Sequence, residues 1–339
     1  MSLYRTELRR LGKRRLTRWM TLLGVLVIGA VIVGTFFTNQ KIGPEQRAAA
    51  VAEAEQQYQE QVTQAEQERA ACVQAKASGQ ETPEGRYPED CAAIEAPPRG
   101  SIQPEWFLPS TFDFRKGFEE TIVTFTAIVA LLGFLVGGSF VGAEWSSGGM
   151  MNLLLWRPRR LTVLLTKLGA LLTGTVAVTV AAATVWTAGY WLVGTLRGST
   201  ATMTSGAWQS FALTGLRGLV LIVVAVTLGF ALASLGRHTA MALGAAIGVA
   251  VVGQFGLGIV MAMAGVRFLE AWLLPTYALA WMQKKVTLED WQSCNVTYYG
   301  ECKPDTLDVT WGQSSILFAA ALVVVLGAAL VAMRRRDVA

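Results

Sequence analysis

The 29 residues from Leu168 to Leu196 read LGALLTGTVAVTVAAATVWTAGYWLVGTL, without one Asp, Glu, Lys or Arg. A bilayer's hydrocarbon core is about 30 Å thick and takes about 20 apolar residues wound as a helix. Lipid offers the backbone no hydrogen-bonding partner, so an unbroken apolar run of this length satisfies itself as a helix. Alternating β-barrel patterning is absent. Five more apolar stretches flank it, at Trp19–Thr38, about Thr121–Ala143, Leu219–Leu235 (beginning near Phe211), Thr239–Val266 and Ser315–Met333. The reading is an all-α membrane protein with six transmembrane helices, and a soluble enzyme is excluded. The averages agree: 53% hydrophobic, only 16% charged, and a mean hydropathy of +0.41.

Lys and Arg near the span ends set the orientation. With the N-terminus inside, segments 1–18, 144–167, 236–238 and 334–339 are cytoplasmic and hold 15 basic residues against Glu7, Glu144 and Asp337. That is +12 inside and −7 outside, within a formal net charge of +5. Topology and lipid head groups account for the basic tail, and nucleic acid is not needed as a partner. The first span is read as an anchor, because its apolar run exceeds a signal-peptide core and no Ala-x-Ala site follows.

All four cysteines fall on the outer side in this topology, where disulfides persist. The expected pairs are Cys72–Cys91 and Cys294–Cys302, each closing a short loop. A zinc site competes poorly, because the single histidine, His238, lies on the other side.

Two long outer segments remain. In 39–117, the stretch from Pro44 to about Ser78 is rich in Ala, Glu and Gln, which are strong helix formers. Val51, Tyr58, Val62, Ala65 and Cys72 approximate a heptad stripe on it. The stripe fits a helical hairpin closed by its own return path, and alternatively a stalk over 45–95 that docks an extracytoplasmic protein. In 267–314, Pro275 divides an aromatic stretch too short to cross and return, so a re-entrant or interface-lying helix pair is expected. Trp272, Trp281, Trp291 and Trp311 match membrane-boundary positions. The Asn295-Val296-Thr297 sequon reads as accidental.

Soluble-enzyme chemistry is missing. There is no G-x-x-x-x-G-K-[ST] loop, no H-E-x-x-H and no C-x-x-C. Glu119 and Glu120 precede the second span, and capping explains them better than catalysis, for which no nucleophile or metal partner is at hand. The membrane interior carries two polar candidates for a substrate path, Arg217 and Gln254. Arg217 fits snorkelling or a pair with Glu119 or Glu120, and Gln254 fits a hydrogen bond across helices.

The strongest local signal runs Gly142-Ala-Glu144-Trp-Ser-Ser-Gly148-Gly-Met-Met-Asn-Leu-Leu-Leu-Trp-Arg-Pro158-Arg-Arg160, ending at Lys167. An acid and two serines precede a short apolar amphipathic helix over about Gly149–Trp156, Pro158 breaks it, and a basic cluster leads back to the membrane. Either it is an ordinary interfacial loop, or it presents a short helix to a soluble neighbour. Arg157, Arg159 and Arg160 fit anchorage at anionic lipid, at about 1 kcal/mol each.

On these residues the chain resembles the permease subunits of type-2 ABC exporters. Their inner loop reads as a Glu, a trio, a Gly, a Leu-rich helix, a Pro, a basic residue and a downstream Lys. Glu144, Gly148, Leu153 to Leu155, Pro158, Arg160 and Lys167 occupy those positions here. The basic N-terminal helix, six spans, a long first outer loop and a re-entrant element before the sixth span extend the likeness. Gly149-Met150 departs from the usual Thr-Leu, and the outer helix is larger than a minimal member needs.

The resemblance implies a dimer with a second copy or a paralogue, resident in the bacterial cytoplasmic membrane with its N-terminus inside. It implies coupling to separate ABC ATPase subunits, which bind ATP and Mg, so that no cofactor and no catalytic step belong to this chain. Glu144, Ser147, Gly148, Met151, Leu154, Pro158 and Arg160 are the implied ATPase-coupling residues, with Glu144 directed to the coupling helix's N-terminus or to a basic ATPase residue. The cargo is read as hydrophobic, lipid-like, peptide or drug. A non-transporting scaffold whose stalk binds an outer partner is the alternative.

Overall fold

The computed structural model describes residues 3–78, 87–88, 90–156, 159–291 and 303–335. Pro158, Arg157, Cys294, Cys302 and the 295–297 sequon lie outside the described residues. In chain order the helices are α1 (Leu3–Lys13), α2 (Arg15–Thr38), α3 (Pro44–Ala77), α4 (Phe114–Ser146), α5 (Gly149–Trp156), α6 (Arg160–Arg197) and α7 (Ser205–Gly236). They continue with α8 (Thr239–Gly248), a π-helical stretch over Val249–Gly256, α9 (Leu257–Met263), α10 (Leu274–Gln283) and α11 (Trp311–Arg335). Six of these helical segments are long and apolar enough to cross a membrane: α2, α4, α6, α7, the run Thr239–Met263 and α11. Each expected span is present. Four of the helices, α4, α6, α7 and α11, run past the uncharged window at both ends, because a helix does not stop where its charge-free stretch stops.

The chain forms two compact units. The larger comprises 1–33, 114–192 and 201–339. Its hub is α7, whose most apolar stretch is 56% buried, against 6% for Thr239–Met263. In lipid no hydrophobic force drives helices together, so close approach through small residues supplies the packing. A Cβ on Gly137 of α4 would stand 2.4 Å from the Val226 carbonyl oxygen of α7, and one on Gly229 of α7 would stand 2.3 Å from that of Phe134. Only a hydrogen fits at either place. Phe140, Val141, Val226 and Phe230 fill the core beside this crossing.

After α9 the chain makes a short 3-10 turn (Leu269–Trp272) and then α10, in the segment where a re-entrant or interface-lying helix pair is expected. Gln254 secures it: its Oε1 accepts from the Leu274 N–H at 2.8 Å, in the first turn of α10. Arg217 turns to the same helix, donating to the Met282 carbonyl at 3.3 Å, while Trp281 Nε1 donates to the Arg217 carbonyl at 3.0 Å. Both substrate-path candidates are thus bonded to α10 and its first turn. The partner suggested for Arg217, Glu119 or Glu120, gives way to a backbone carbonyl.

The sequence reading placed no strand in this segment. The structure has an antiparallel pair, β3 (Lys285–Asp290) and β4 (Asp305–Thr310), with Leu288 opposite Leu307. These are numbered after a two-residue parallel pair, β1 (Phe112–Asp113) and β2 (Gly198–Ser199). Arg267 clamps the Asp290–Asp305 end of the strand pair, donating to Asp290 at 2.8 Å and to Asp305. Those bonds hold the guanidinium above its ordinary pKa, Asp305 contributing more than Asp290.

The smaller unit comprises 34–113 and 193–200. Pro44 opens α3 at a position where a missing N–H costs nothing, and Gln46 accepts from the Gly43 N–H at 2.8 Å. Gln–Glu pairs four apart (56 with 60, 59 with 55, 64 with 68) brace its exposed face. Its 34 residues extend about 50 Å at 1.5 Å each. The buried line is Ala50, Ala54 and Cys72, with Tyr58, Val62 and Ala65 half-buried and Val51 exposed. The stripe therefore starts at alanines rather than at Val51, because the returning chain lies close against the helix. Cys72 is bonded to Cys91 on that return path, as expected.

Candidate functional site

The α5 end of the larger unit brings Glu144 and Lys167 of the inner motif together with charged residues of the N-terminal tail. Leu3, Glu7 and Leu11 lie on one face of α1 by their spacing of four, and Glu7 and Leu11 are buried. Gly174 of α6 leaves room for this helix, since a Cβ there would meet Leu11 at 2.5 Å. Tyr4 donates to Thr173 at 2.8 Å, one position away on α6.

An acid on the buried face of α1 demands a cation, and Lys167 of α6 supplies it. The Lys167 ammonium lies 2.7 Å from Glu7 Oε2 and 2.6 Å from Glu144 Oε2, and the Glu7 and Lys167 side chains are wholly removed from solvent. Glu144 spends its other oxygen on Arg14 at 2.6 Å, and Arg14 also donates to the Ser139 carbonyl at 3.1 Å. Arg10 reaches Glu7 at 3.3 Å. The Arg14 guanidinium lies over the Phe140 ring at 4.8 Å, adding a cation–π contact. Two carboxylates and three cations thus run in one chain from α1 through α6 to the end of α4.

Buried charges are tolerable only when paired and hydrogen-bonded, and this chain meets that condition. It fixes α1 to the elements that carry α5. Glu144, expected at the α5 N-terminus or at a basic ATPase residue, has one oxygen on Arg14 and the other on Lys167. Ser147 donates to the Glu144 carbonyl at 3.4 Å, closing the last turn of α4. Gly148 follows with φ +71° and open space around it. That left-handed conformation is the reason for a glycine there, and it turns the chain directly into α5.

α5 is the short helix the sequence predicted. Met150 and Leu154 are its buried side, packed in the core with Val163 and Leu164. Leu154 therefore anchors the helix rather than presenting it. Met151 is half-buried. The apolar side chains left outside are Leu155 at 79% and Trp156 at 87% exposure. Beside them runs a cleft of about 820 Å3, lined by Arg9, Arg10, Lys13 and Arg14 on one side and by Asn152, Leu153 and Trp156 on the other. Arg160 begins α6.

The sequence reading named neither Glu7 nor Arg14 as a site residue and used Lys167 only to close the motif. Glu7 was findable: it is the lone acid of the tail and occupies an apolar position of an amphipathic helix. Arg14 carried no such mark among the tail's seven basic residues.

The family described as ABC-2 family transporter protein matches residues 1–338. The chain belongs to the ABC-2 transporter family. No curated protein matches it, and no solved structure does. As an ABC-2 permease it is a multi-pass transmembrane component of an ABC transporter, not the ATPase itself, and the family implies association with an ABC ATPase subunit.

Proposed function

We propose that this ABC-2 permease exports a hydrophobic, lipid-like molecule from a bacterial cytoplasmic membrane, driven by two separate ATPase subunits that seat on α5. The observation that carries this reading is the exposed Leu155–Trp156 pair beside a basic cleft, on a helix tied to α1 and α6 by the Glu7–Lys167–Glu144–Arg14 chain. An apolar anchor rimmed by charge is the anatomy of a protein interface. Closure of the ATPases pushes α5, and the buried charges pass that displacement to α1 and α6 as one body. With the N-terminus inside, all of this lies at the cytoplasmic face. A second permease copy packs against the lightly buried Thr239–Met263 span, where Gly244 and Gly248 leave open space. ATP binding shifts the population between two conformations of differing cargo affinity.

The test is ATPase activity of the complex recovered through this chain from membranes. Activity lost when the phosphate-loop lysine of the recovered subunit is changed supports the reading. A chain that comes alone returns weight to a scaffold acting through residues 45–95. Glu144→Ala should keep membrane insertion and lose coupling of hydrolysis to transport, and unchanged transport would count against the role given to the charge chain.

A further inference from the structure

At the end of the larger unit remote from α5, helices α4, α6 and α7 enclose a groove of about 840 Å3. Phe118, Phe125, Trp186, Trp191, Trp208 and Phe211 line it, and no described lining residue is ionisable. Its size lies within the range of small-molecule sites, about 300–1,000 Å3. Val180 and Leu216 at its rim are more than half exposed, so the mouth is apolar.

Thr179 is the polar exception. It is 4% exposed, and its hydroxyl has no hydrogen-bond partner. Four other threonines of α6 (Thr166, Thr173, Thr184 and Thr187) donate to the carbonyl four residues earlier, at 2.6 to 2.9 Å. Thr179 makes no such bond. A buried hydroxyl without a partner is costly, and the cost is removed by a ligand that supplies the partner. Thr179 also lines a second apolar cavity of about 720 Å3 toward α1 and α2, so it stands where two apolar spaces meet.

The lining selects among ligand classes. Without a carboxylate in the groove an organic cation would go unneutralised. A peptide would bring many amides, whereas Thr126, Thr184 and Thr187, the other lining threonines, are already bonded to their own helices. One open hydroxyl among aromatic rings matches one polar group on a long apolar body.

We propose that this groove is a binding site for an uncharged lipid-like molecule, its hydrocarbon chain against the aromatic lining and one oxygen hydrogen-bonded to the Thr179 hydroxyl. As a cargo site it rests on the exporter reading. With the N-terminus inside, it opens in the outer half of the bilayer.

The test uses the permease with its recovered ATPase in lipid nanodiscs. The probes are a long-chain primary alcohol bearing a mid-chain diazirine and the matching hydrocarbon without the hydroxyl. Photolabelling by both is expected on the lining residues of α4, α6 and α7, and Ala183→Trp, which fills the groove, should remove it. Thr179→Val should weaken apparent affinity for the alcohol about three- to tenfold, the worth of one hydrogen bond, and leave the hydrocarbon unchanged. Thr179→Ser should label like the unsubstituted chain. Equal alcohol affinity in Thr179→Val, or labelling indifferent to Ala183→Trp, would overturn the site. So would a Leu216→Cys disulfide between two copies with no labelling, which would show the groove covered by a second permease. ATPase recovery is scored separately, so loss of labelling with an active complex removes this site and leaves the exporter reading standing.

Discussion

Lys167 donates to Glu7 at 2.7 Å across 160 positions of sequence, and neither side chain reaches solvent. The same ammonium lies 2.6 Å from Glu144, so it keeps two carboxylates close to one another. Lys167→Met should leave Glu144 on Arg14 alone and Glu7, wholly buried, with only the longer Arg10 contact, and cost about 3–5 kcal/mol, the usual result of removing one partner from a buried pair. Adding Glu7→Gln should recover part of that loss, because the carboxylate that lost its short buried partner disappears. Thermal unfolding in detergent reads both. A double substitution no more stable than Lys167→Met alone would refute the pairing.

Leu154 and Trp156 stand two residues apart on α5 and should behave oppositely. Leu154 is packed in the core, so Leu154→Ala should lower stability by about 2–5 kcal/mol. Trp156 is 87% exposed, and Trp156→Ala should leave unfolding unchanged while weakening ATPase capture by about 2 kcal/mol or more, as loss of an interface anchor does. Thermal unfolding alongside quantitative co-purification separates the two effects. Equal stability losses would mean that α5 packs differently.

These two side chains show how far the sequence could be read. Length and absence of charge made six spans legible, since nothing but a helix crosses lipid. The α5 boundaries were legible from the serines before it and Pro158 after it, and Gly148 from the family motif. Which side of an eight-residue helix faces inward was not, because Met150 to Trp156 is apolar on nearly all sides and has little periodicity to read. The charge chain was hidden for another reason: Glu7, Arg14, Glu144 and Lys167 meet only when α1 lies down on α6, and no local pattern encodes that docking. The β3–β4 hairpin was missed through context, since Lys285–Asp290 and Asp305–Thr310 do alternate and carry Thr and Val.

Cys72 and Cys91 staple α3 to its return path over a sequence separation of 19. Closing a loop of this size removes about 3 kcal/mol of unfolded-chain entropy. Cys91→Ser should therefore destabilise the smaller unit by about 2–4 kcal/mol and raise amide exchange along Ala54–Ala77. Amide exchange in α4 and α7, which belong to the other unit, should stay as it was. Hydrogen exchange with and without reductant reads this directly, and an equal rise in α7 would show that the staple supports more than its own unit.

Asp308 on β4 accepts from the Lys285 ammonium at 2.9 Å and from the Thr287 hydroxyl at 2.8 Å, both on β3. The Lys285 bond first and the Thr287 bond second hold its carboxyl below the ordinary value of 3.8, against a smaller opposing effect of burial. Because the folded pKa is depressed, the hairpin's share of stability from this contact is complete above the ordinary carboxylate range. It is lost as pH falls through the lower folded value. Both side chains are about half exposed, so added salt should shrink the effect. Following the Asp308 carboxyl carbon by NMR through an acid titration should give a midpoint below 3.8. Lys285→Met should move that midpoint up further than Thr287→Val does, in the order of the two causes. A larger shift from Thr287→Val would show that the hydroxyl, and not the ammonium, sets the proton affinity at this strand pair.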